Sequence, residues 1–202
     1  MVCVIDYGAG NLRSVLSALR AVGCDPAVAE APADIDRSTA LILPGVGAAA
    51  DTMQNLRQRG LADVVANWIA EDRPFLGVCM GLQILFSHSE EGDGQHCLDV
   101  LSGRVRRLPA GMKVPHMGWN QVRYTRPCPL FDGIPDGTDF YFVHSYVAEP
   151  DDPTILAART DYGIDFCSAV SQGNMFATQF HPEKSGRAGL HVYRNFVTHA
   201  HR

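Results

Sequence analysis

The first 90 residues alternate between short, continuous apolar runs and longer stretches in which apolar residues recur every three or four positions. The apolar runs occupy 2–6, 40–43 and 74–78. The stretches with helical spacing follow them at 12–22, at 53–69 with a turn near Gly60, and at 80–88. Continuous apolar runs are typical of strands that are buried on both faces. The pattern therefore predicts a parallel sheet covered by helices.

The pattern changes after about residue 90, where a polar loop is followed by short apolar runs between glycines and prolines. These runs lie at 100–108, 121–124, 140–147, 155–158, 166–170 and 175–180. They predict β-strands that are partly antiparallel, and helical spacing at 190–199 predicts a closing helix. We find no linker or repeat. We therefore expect one α/β domain over 1–202, with a mostly parallel central sheet and a partly antiparallel β region in its second half.

Charge and composition narrow the classes of function. The chain has 17 Lys and Arg against 22 Asp and Glu, a net charge of −5. Such a chain has no overall field that attracts nucleic acid or an anionic membrane. Hydrophobic residues make up 46% and charged residues 19%, which excludes a disordered chain. The longest charge-free apolar stretch, at 74–86, is shorter than the roughly 20 residues of a membrane span.

The six cysteines indicate neither a zinc ribbon nor a thioredoxin-type redox site, because no two of them form a Cys-x-x-Cys pair. The first six residues lack the basic segment of a secretory signal. We therefore expect a cytoplasmic protein with reduced thiols, five of which are small hydrophobic core residues. No metal site and no organic cofactor is expected.

The sixth cysteine lies in Gly77-Val78-Cys79-Met80-Gly81, between a predicted buried strand and a predicted helix. This is the layout of a nucleophile elbow with Cys in the Ser position. A nucleophile on such a turn has a strained backbone, and the glycines let neighbouring backbone pass without a Cβ clash. The helix N-terminus favours a thiolate, and the Met80 amide would face an oxyanion.

A candidate base and acid follow the last predicted strand, in Phe180-His181-Pro182-Glu183. Catalytic residues of α/β sheets collect at such strand ends. Pro182 favours an extended conformation at His181. Because residues two apart in an extended chain share a face, Glu183 would hold one imidazole nitrogen while the other faces the thiol.

A third motif, Pro44-Gly45-Val46-Gly47, ends the second predicted buried strand. Two glycines there allow backbone N–H groups to turn toward an anion, so this loop is a candidate second oxyanion donor. An ordinary strand-to-helix turn explains one glycine more easily than two.

Each motif also has a structural interpretation. Cys79 alone fits a buried structural cysteine, and His181-Pro182-Glu183 alone fits a surface turn. A nucleophile, a base and an orienting acid in the order Cys, His, Glu favour catalysis. Papain-like proteases share the order Cys before His, but their Cys lies near the mature N-terminus in a different local sequence.

These residues resemble the class I, triad-type glutamine amidotransferases, through the motifs at 77–83 and 181–183. More narrowly, the chain resembles the glutaminase subunits of imidazole glycerol phosphate synthase. That similarity runs from residue 2 to about 197 and is carried by the segments at 6–12, 44–47, 115–120, 142–146 and 181–185. One departure lies after Gly47, where the family usually has a bulky aromatic residue and this chain has three alanines.

The resemblance implies the class I amidotransferase fold and a role for each site residue. Cys79 is the nucleophile, His181 the base and acid, and Glu183 its orienter. Val46 and Met80 would donate the oxyanion hydrogen bonds. The implied contacts to glutamine are the Gln83 side chain and the backbone of Gly47, Ser145 and Tyr146. Trp119 and Lys184 are the expected partner-facing residues.

The implied partner is a (β/α)₈-barrel cyclase subunit, which would use the ammonia to make imidazole glycerol phosphate and the carboxamide nucleotide AICAR in histidine biosynthesis. Two alternatives are open. One is the glutaminase subunit of another synthase, of the anthranilate or aminodeoxychorismate type. The other is a non-catalytic binding module on the same fold, against which the intact Cys79, His181 and Glu183 argue.

Overall fold

The computed structural model describes residues 1–35 and 37–201. Its helices are α1 Leu12–Ala21, α2 Ala49–Gln58, α3 Leu61–Ala70, α4 Met80–Gln83 and α5 Gly186–His199. Its strands are β1 Val2–Ile5, β2 Ala27–Ala29, β3 Ala40–Gly45, β4 Phe75–Cys79, β5 Phe86–Ser89, β6 Gln95–His96, β7 Leu101–Arg107, β8 His116–Tyr124, β9 Thr138–His144, β10 Tyr146–Pro150, β11 Leu156–Asp161, β12 Asp165–Gln172 and β13 Met175–Thr178.

All of these strands join one mixed sheet. Its main path runs β2-β1-β3-β4-β13-β12-β10-β7-β5-β6, and β11, β8 and β9 branch from β12. Pairing is parallel from β2 to β13 and mostly antiparallel beyond, as the sequence predicts. No helix in the described ranges is long and apolar enough to cross a membrane. The expectation of a single domain remains a prediction, which the continuous sheet supports.

The parallel strands are buried on both faces. Along β1, Cys3 and Ile5 join one hydrophobic cluster, while Val2 and Val4 join a second cluster. Helices α2 and α3 pack on the first side, and α1 and α5 pack on the second. Two cores separated by a sheet explain why the strand sequences are continuously apolar.

The predicted helix at 80–88 is wrong in its second half. The helix ends at Gln83, and residues Phe86–Ser89 form β5, which pairs with β6 and β7. Leu82, Ile84, Leu85 and Phe86 are all completely buried. A short apolar run that is buried on every side has no period that separates helix from strand.

Other predicted boundaries also change. The run predicted at 140–147 is two strands, β9 and β10, which separate at Ser145. The run predicted at 121–124 is the end of the longer β8, which begins at His116. Strand β2, with only three residues, was not predicted from the sequence.

Candidate active site

Three neighbouring parallel strands end at one edge of the sheet and bring the three sequence motifs together. Strand β4 lies between β3 and β13, with Gly45 opposite Cys79 and Thr178 opposite Val78. Residues that follow β3 and β13 therefore flank the nucleophile. This places the loop at 44–47 on one side of Cys79 and His181 on the other.

The backbone at Cys79 has the expected nucleophile-elbow geometry. Its φ of 53° and ψ of −103° lie where an L residue is strained. A Cβ at Gly77 would lie 2.5 Å from the Gly81 carbonyl oxygen, and a Cβ at Gly81 would lie 2.0 Å from that of Leu43. Both glycines are therefore sterically required, and they let α4 start directly against β3 and β4.

The helix that follows Cys79 is shorter than the sequence predicts. With four residues, α4 is a single turn. The dipole expected to act on the thiol is therefore reduced to the free N–H groups of that one turn.

His181 and Glu183 are paired, although not in the way an extended chain would pair them. His181 is extended, with φ −100° and ψ 99°, but residues Pro182–Lys184 form a 3₁₀ turn. The turn brings Glu183 Oε1 to 2.8 Å from His181 Nδ1. Both side chains are only 1% exposed.

Two residues that the sequence analysis did not assign hold the Glu183 carboxylate. Asn11 Nδ2 donates to Oε1 at 3.4 Å, and the Tyr193 hydroxyl donates to Oε2 at 3.4 Å. Asn11 precedes α1 and Tyr193 lies on α5. Only the folded chain brings these two helices to the same carboxylate.

The environment of His181 favours its charged form. Burial lowers the pKa of His181, but the charges and hydrogen-bonding capacity of Cys79 and Glu183 outweigh burial and raise the pKa to about 10. The buried Nε2 of His181 makes no hydrogen bond among the described residues. Cys79 nevertheless lies close enough to raise the pKa of the His181 ring. The surroundings of His181 thus favour its imidazolium form.

A cavity of about 300 Å³ opens over Cys79 and His181. All the expected oxyanion and substrate residues line it, namely Val46, Gly47, Met80, Gln83, Ser145 and Tyr146. Glu91, a further lining residue, was not assigned from the sequence. Its Oε2 accepts a 2.6 Å hydrogen bond from the Ala49 N–H. A carboxylate therefore lies at the N-terminus of α2, which begins within the three-alanine segment.

A set of buried amides continues behind the cavity. Gln83 Nε2 donates to the Tyr146 carbonyl at 3.1 Å and to Gln179 Oε1 at 2.9 Å. Gln179 Nε2 in turn lies 3.6 Å from Cys79 Sγ. Because both hydrogens of the Gln83 amide are used, only its Oε1 is left for a ligand.

A buried histidine pair supports the same carbonyl. His144 Nδ1 donates to the Tyr146 oxygen at 2.9 Å, and His116 Nδ1 lies 3.0 Å from His144 Nε2. Burial lowers the pKa of His116 to about 4 and that of His144 to about 3. Both imidazoles are therefore neutral at pH 7, so His116 donates and His144 accepts between the rings.

Tyr7 lies beneath the candidate oxyanion loop, and its buried hydroxyl makes no hydrogen bond of ordinary geometry to the residues that the structure describes. Burial raises the pKa of Tyr7 to about 12, while Thr52 and the Val46 backbone act in the opposite direction. A backbone group lowers a phenol pKa when its N–H points toward the oxygen. The backbone of Val46, in the candidate oxyanion loop, therefore lies close enough to act on the buried Tyr7 hydroxyl.

The two expected partner-facing residues lie on one surface. Trp119 is 58% exposed and contacts Tyr141 edge to face, and Lys184 Nζ lies 5.9 Å from the centre of the same ring. Met117, two residues from Trp119 on β8, is 61% exposed. The Tyr141 carbonyl accepts from the His181 N–H at 2.9 Å. This surface therefore borders the His181 turn directly.

No group of three or more His, Cys, Asp and Glu side chains in the described part of the chain is arranged to hold a metal ion. The six cysteines are free thiols. Of the five expected to be small core residues, four are buried and Cys24 is partly exposed.

Comparison with known proteins agrees with this geometry. The family model for glutamine amidotransferase class-I matches residues 3–200. A curated relative from Dehalococcoides mccartyi, "Imidazole glycerol phosphate synthase subunit HisH", is 53% identical over 97% of this chain and 96% of its own. The subunit of the same name from Methanothermobacter thermautotrophicus is 50% identical over 98% of each chain.

A solved structure described as a glutamine amidotransferase covers 100% of both chains, with a TM-score of 0.79 at 22% identity. At that identity the likeness supports the fold alone. The family match and the HisH relatives carry the assignment. The chain therefore belongs to the class-I glutamine amidotransferase family and, within it, to the HisH subunits of imidazole glycerol phosphate synthase.

Proposed function

We propose that this chain hydrolyses glutamine to glutamate and ammonia and delivers the ammonia to a cyclase subunit in histidine biosynthesis. The observation that carries the proposal is the meeting, in one cavity, of a cysteine on a strained elbow and a buried histidine–carboxylate pair. The names of the HisH relatives supply the synthase.

The reaction follows from the positions of three side chains. The Cys79 thiolate attacks the side-chain carbonyl carbon of glutamine, and the Met80 and Val46 amides stabilise the resulting oxyanion. The His181 imidazolium protonates the leaving nitrogen, which departs as ammonia. His181 then takes a proton from water, which hydrolyses the thioester to glutamate. Glu183 holds the His181 ring and stabilises its positive charge throughout.

Recognition of the amino-acid end of glutamine combines backbone and side-chain groups. The Tyr146 carbonyl already accepts from Gln83 and His144, and the Ser145 carbonyl accepts from Leu108. The amide N–H groups of this segment and of Gly47 would therefore receive the substrate carboxylate. Gln83 Oε1 and the Glu91 carboxylate are acceptors suited to the substrate ammonium.

The partner in this proposal is a (β/α)₈-barrel cyclase that docks on the surface formed by Met117, Trp119, Tyr141 and Lys184. Large exposed aromatic and Met side chains are enriched at protein interfaces. This surface borders the His181 turn, so ammonia would be released close to the bound partner.

The oxyanion loop would couple the two subunits. In this proposal the Val46 amide of the isolated chain is turned away from the cavity, and an oxyanion site without one donor is slower by roughly 10²–10³-fold. Docking of the cyclase with its nucleotide would favour the orientation that faces the cavity.

The test is to incubate the wild-type chain, mixed with the cyclase subunit and its nucleotide, with glutamine and with an alkylating glutamine analogue. We expect glutamate release, and loss of that activity as the analogue labels Cys79 alone among the six cysteines. Labelling of Cys79 without any glutamate release would contradict the proposal. Activity supported instead by an anthranilate or aminodeoxychorismate synthase subunit would reassign the partner.

A further inference from the structure

Gln179 contacts the nucleophile without lining the cavity. Its side chain is completely buried, it is not part of the cavity lining, and its Nε2 lies 3.6 Å from Cys79 Sγ. The second polar contact of the sulfur is the Val143 carbonyl at 3.9 Å. That carbonyl can accept only from the neutral S–H, whereas an amide N–H can donate to the thiolate.

The orientation of the Gln179 amide is fixed by a chain of hydrogen bonds that starts at a group of known polarity. The Tyr146 carbonyl can only accept, so Gln83 must present its NH₂ group to it. The second hydrogen of that NH₂ points to Gln179, which must therefore present Oε1. The Gln179 NH₂ group is then left to face the sulfur.

We propose that Gln179 is a further catalytic residue, whose side-chain amide donates a hydrogen bond to the Cys79 sulfur and stabilises the thiolate that attacks glutamine. This inference rests on the proposed glutaminase function. The thiol proton resides on His181 Nε2, the S–C bond forms to give the oxyanion, and the C–N bond then breaks as that proton moves to the leaving nitrogen, which departs as ammonia. Gln179 gives up no proton in these steps.

A thiolate at Cys79 would be buried, so it needs a hydrogen-bond donor from the protein, and Gln179 is placed to supply one. Cys79 is only 6% exposed, so water is largely excluded from its sulfur and a protein donor must take the place of water. Hydrogen bonds to charged groups stabilise them more than hydrogen bonds to neutral groups do. Because Gln179 does not line the cavity, its hydrogen bond to the sulfur leaves Cys79 open to substrate from the cavity.

The test measures the pH dependence of Cys79 alkylation by iodoacetamide in the full chain, with the labelled peptide quantified by mass spectrometry. Gln179→Met keeps a similar length without a donor, and Gln179→Glu places a carboxylate beside the sulfur. Thr178→Val is the matched control. Thr178 is the neighbour of Gln179 in the chain, and its replacement also removes a buried hydrogen bond, the one that its hydroxyl donates to the Phe180 carbonyl. The buried Cys167, which should stay unlabelled in a folded chain, reports correct folding in each sample.

We expect the alkylation midpoint of Cys79 to rise by about one to two pH units in Gln179→Met and further in Gln179→Glu. Thr178→Val should leave it unchanged. The other titratable groups near the sulfur, His181, Tyr7 and the lining residues Glu91 and His144, are the same in every sample.

Glutamine hydrolysis in the complex supplies a second readout. The kcat of Gln179→Met should fall about 10- to 100-fold, with a smaller change in KM, because Gln179 contacts the nucleophile directly and would affect bound glutamine only through Gln83. A wild-type alkylation midpoint in both Gln179 variants would overturn the proposal. A wild-type complex that releases no glutamate would instead contradict the proposed function, because the alkylation midpoint needs no turnover.

Discussion

The His181–Glu183 turn and the Pro44–Gly47 loop flank the same cysteine, but the buried Glu183 carboxylate of the turn and the buried Tyr7 hydroxyl beneath the loop differ in their hydrogen bonds. The Glu183 carboxylate is buried and meets His181, Asn11 and Tyr193. Beneath the loop, the Tyr7 hydroxyl is buried without an ordinary hydrogen bond. A fully bonded buried carboxylate has one favourable position, whereas a loop above an unsatisfied hydroxyl can exchange partners at low cost.

This difference separates two tasks. The nucleophile, base and acid are held by backbone turns and buried hydrogen bonds, so they need no rearrangement before the reaction. The second oxyanion donor belongs to a loop that contains Gly47 at φ +94°, where glycine has no steric cost. We infer that the machinery on the Glu183 side is permanent, and that the loop is the adjustable element.

The largest effect should come from the nucleophile. Cys79→Ala should reduce glutamine-dependent synthesis to background, because no other group can form the thioester. Synthesis from added ammonia should persist, since that chemistry belongs to the partner. Cys24→Ala is the matched control, and both rates are measured in the complex. Near-normal glutamine hydrolysis by Cys79→Ala would remove the basis of the account.

Glu183→Gln tests the contribution of the His181–Glu183 turn, which we infer to be permanently arranged. The amide keeps the shape and still accepts from His181 Nδ1, but it no longer stabilises the imidazolium. Loss of the equivalent charge in a serine triad costs about 10⁴-fold in kcat. We expect roughly 10²–10³-fold here, because Gln179 and the elbow also stabilise the thiolate. An exposed carboxylate variant, Glu71→Gln, is the control, and a loss equal to that of Cys79→Ala would mean that Glu183 contributes more than we infer.

Lys184→Ala tests the link between the docking surface and the adjustable loop. Lys184 follows the catalytic turn and lies over Tyr141. Its loss should reduce the stimulation of glutamine hydrolysis by the cyclase and its nucleotide by about tenfold, the effect of a coupling change near 1.4 kcal/mol. The residual activity of the isolated chain should be unchanged. Equal losses in both states would indicate damage to His181 instead of lost coupling.

Tyr7→Phe should change the rate of glutamine hydrolysis least, and it should raise that rate where the other substitutions lower it. Removing the hydroxyl removes a buried polar group that interacts with the Val46 backbone of the loop. We expect the hydrolysis rate of the isolated chain to rise severalfold, while the rate of the stimulated complex stays within about twofold. Thermal unfolding should change little, because the lost hydroxyl makes no ordinary hydrogen bond. A fall in the isolated rate would assign Tyr7 a supporting role in the active loop instead.

The sequence predicts the parts of the site that local chemistry determines. The strain at Cys79 and the need for Gly77 and Gly81 follow from a five-residue motif at the end of a buried strand. The meeting of the three motifs follows from the parallel order of their strands. Glu183 does lie 2.8 Å from His181, but a 3₁₀ turn brings the two side chains together, in place of the extended conformation that the sequence predicts.

The groups that the sequence does not reveal are those positioned by distant packing. Asn11, Tyr193 and Gln179 reach the triad from three separate elements, and each is an ordinary polar residue in its own segment. A buried glutamine directly before Phe180-His181-Pro182-Glu183 is the one local signal that could have indicated Gln179. The break at Ser145 and the strand at Phe86–Ser89 depend on pairing with remote strands, which local periodicity cannot specify.

The most direct test of the central claim is the rate of glutamate release by the wild-type chain in three states: alone, with the cyclase subunit, and with the cyclase subunit and its nucleotide. The account predicts a nearly silent isolated chain and a rise of roughly 10²–10³-fold in the complete complex, the contribution of one oxyanion donor. An isolated chain that hydrolyses glutamine as fast as the complete complex would show that the loop already faces the cavity and would contradict the account.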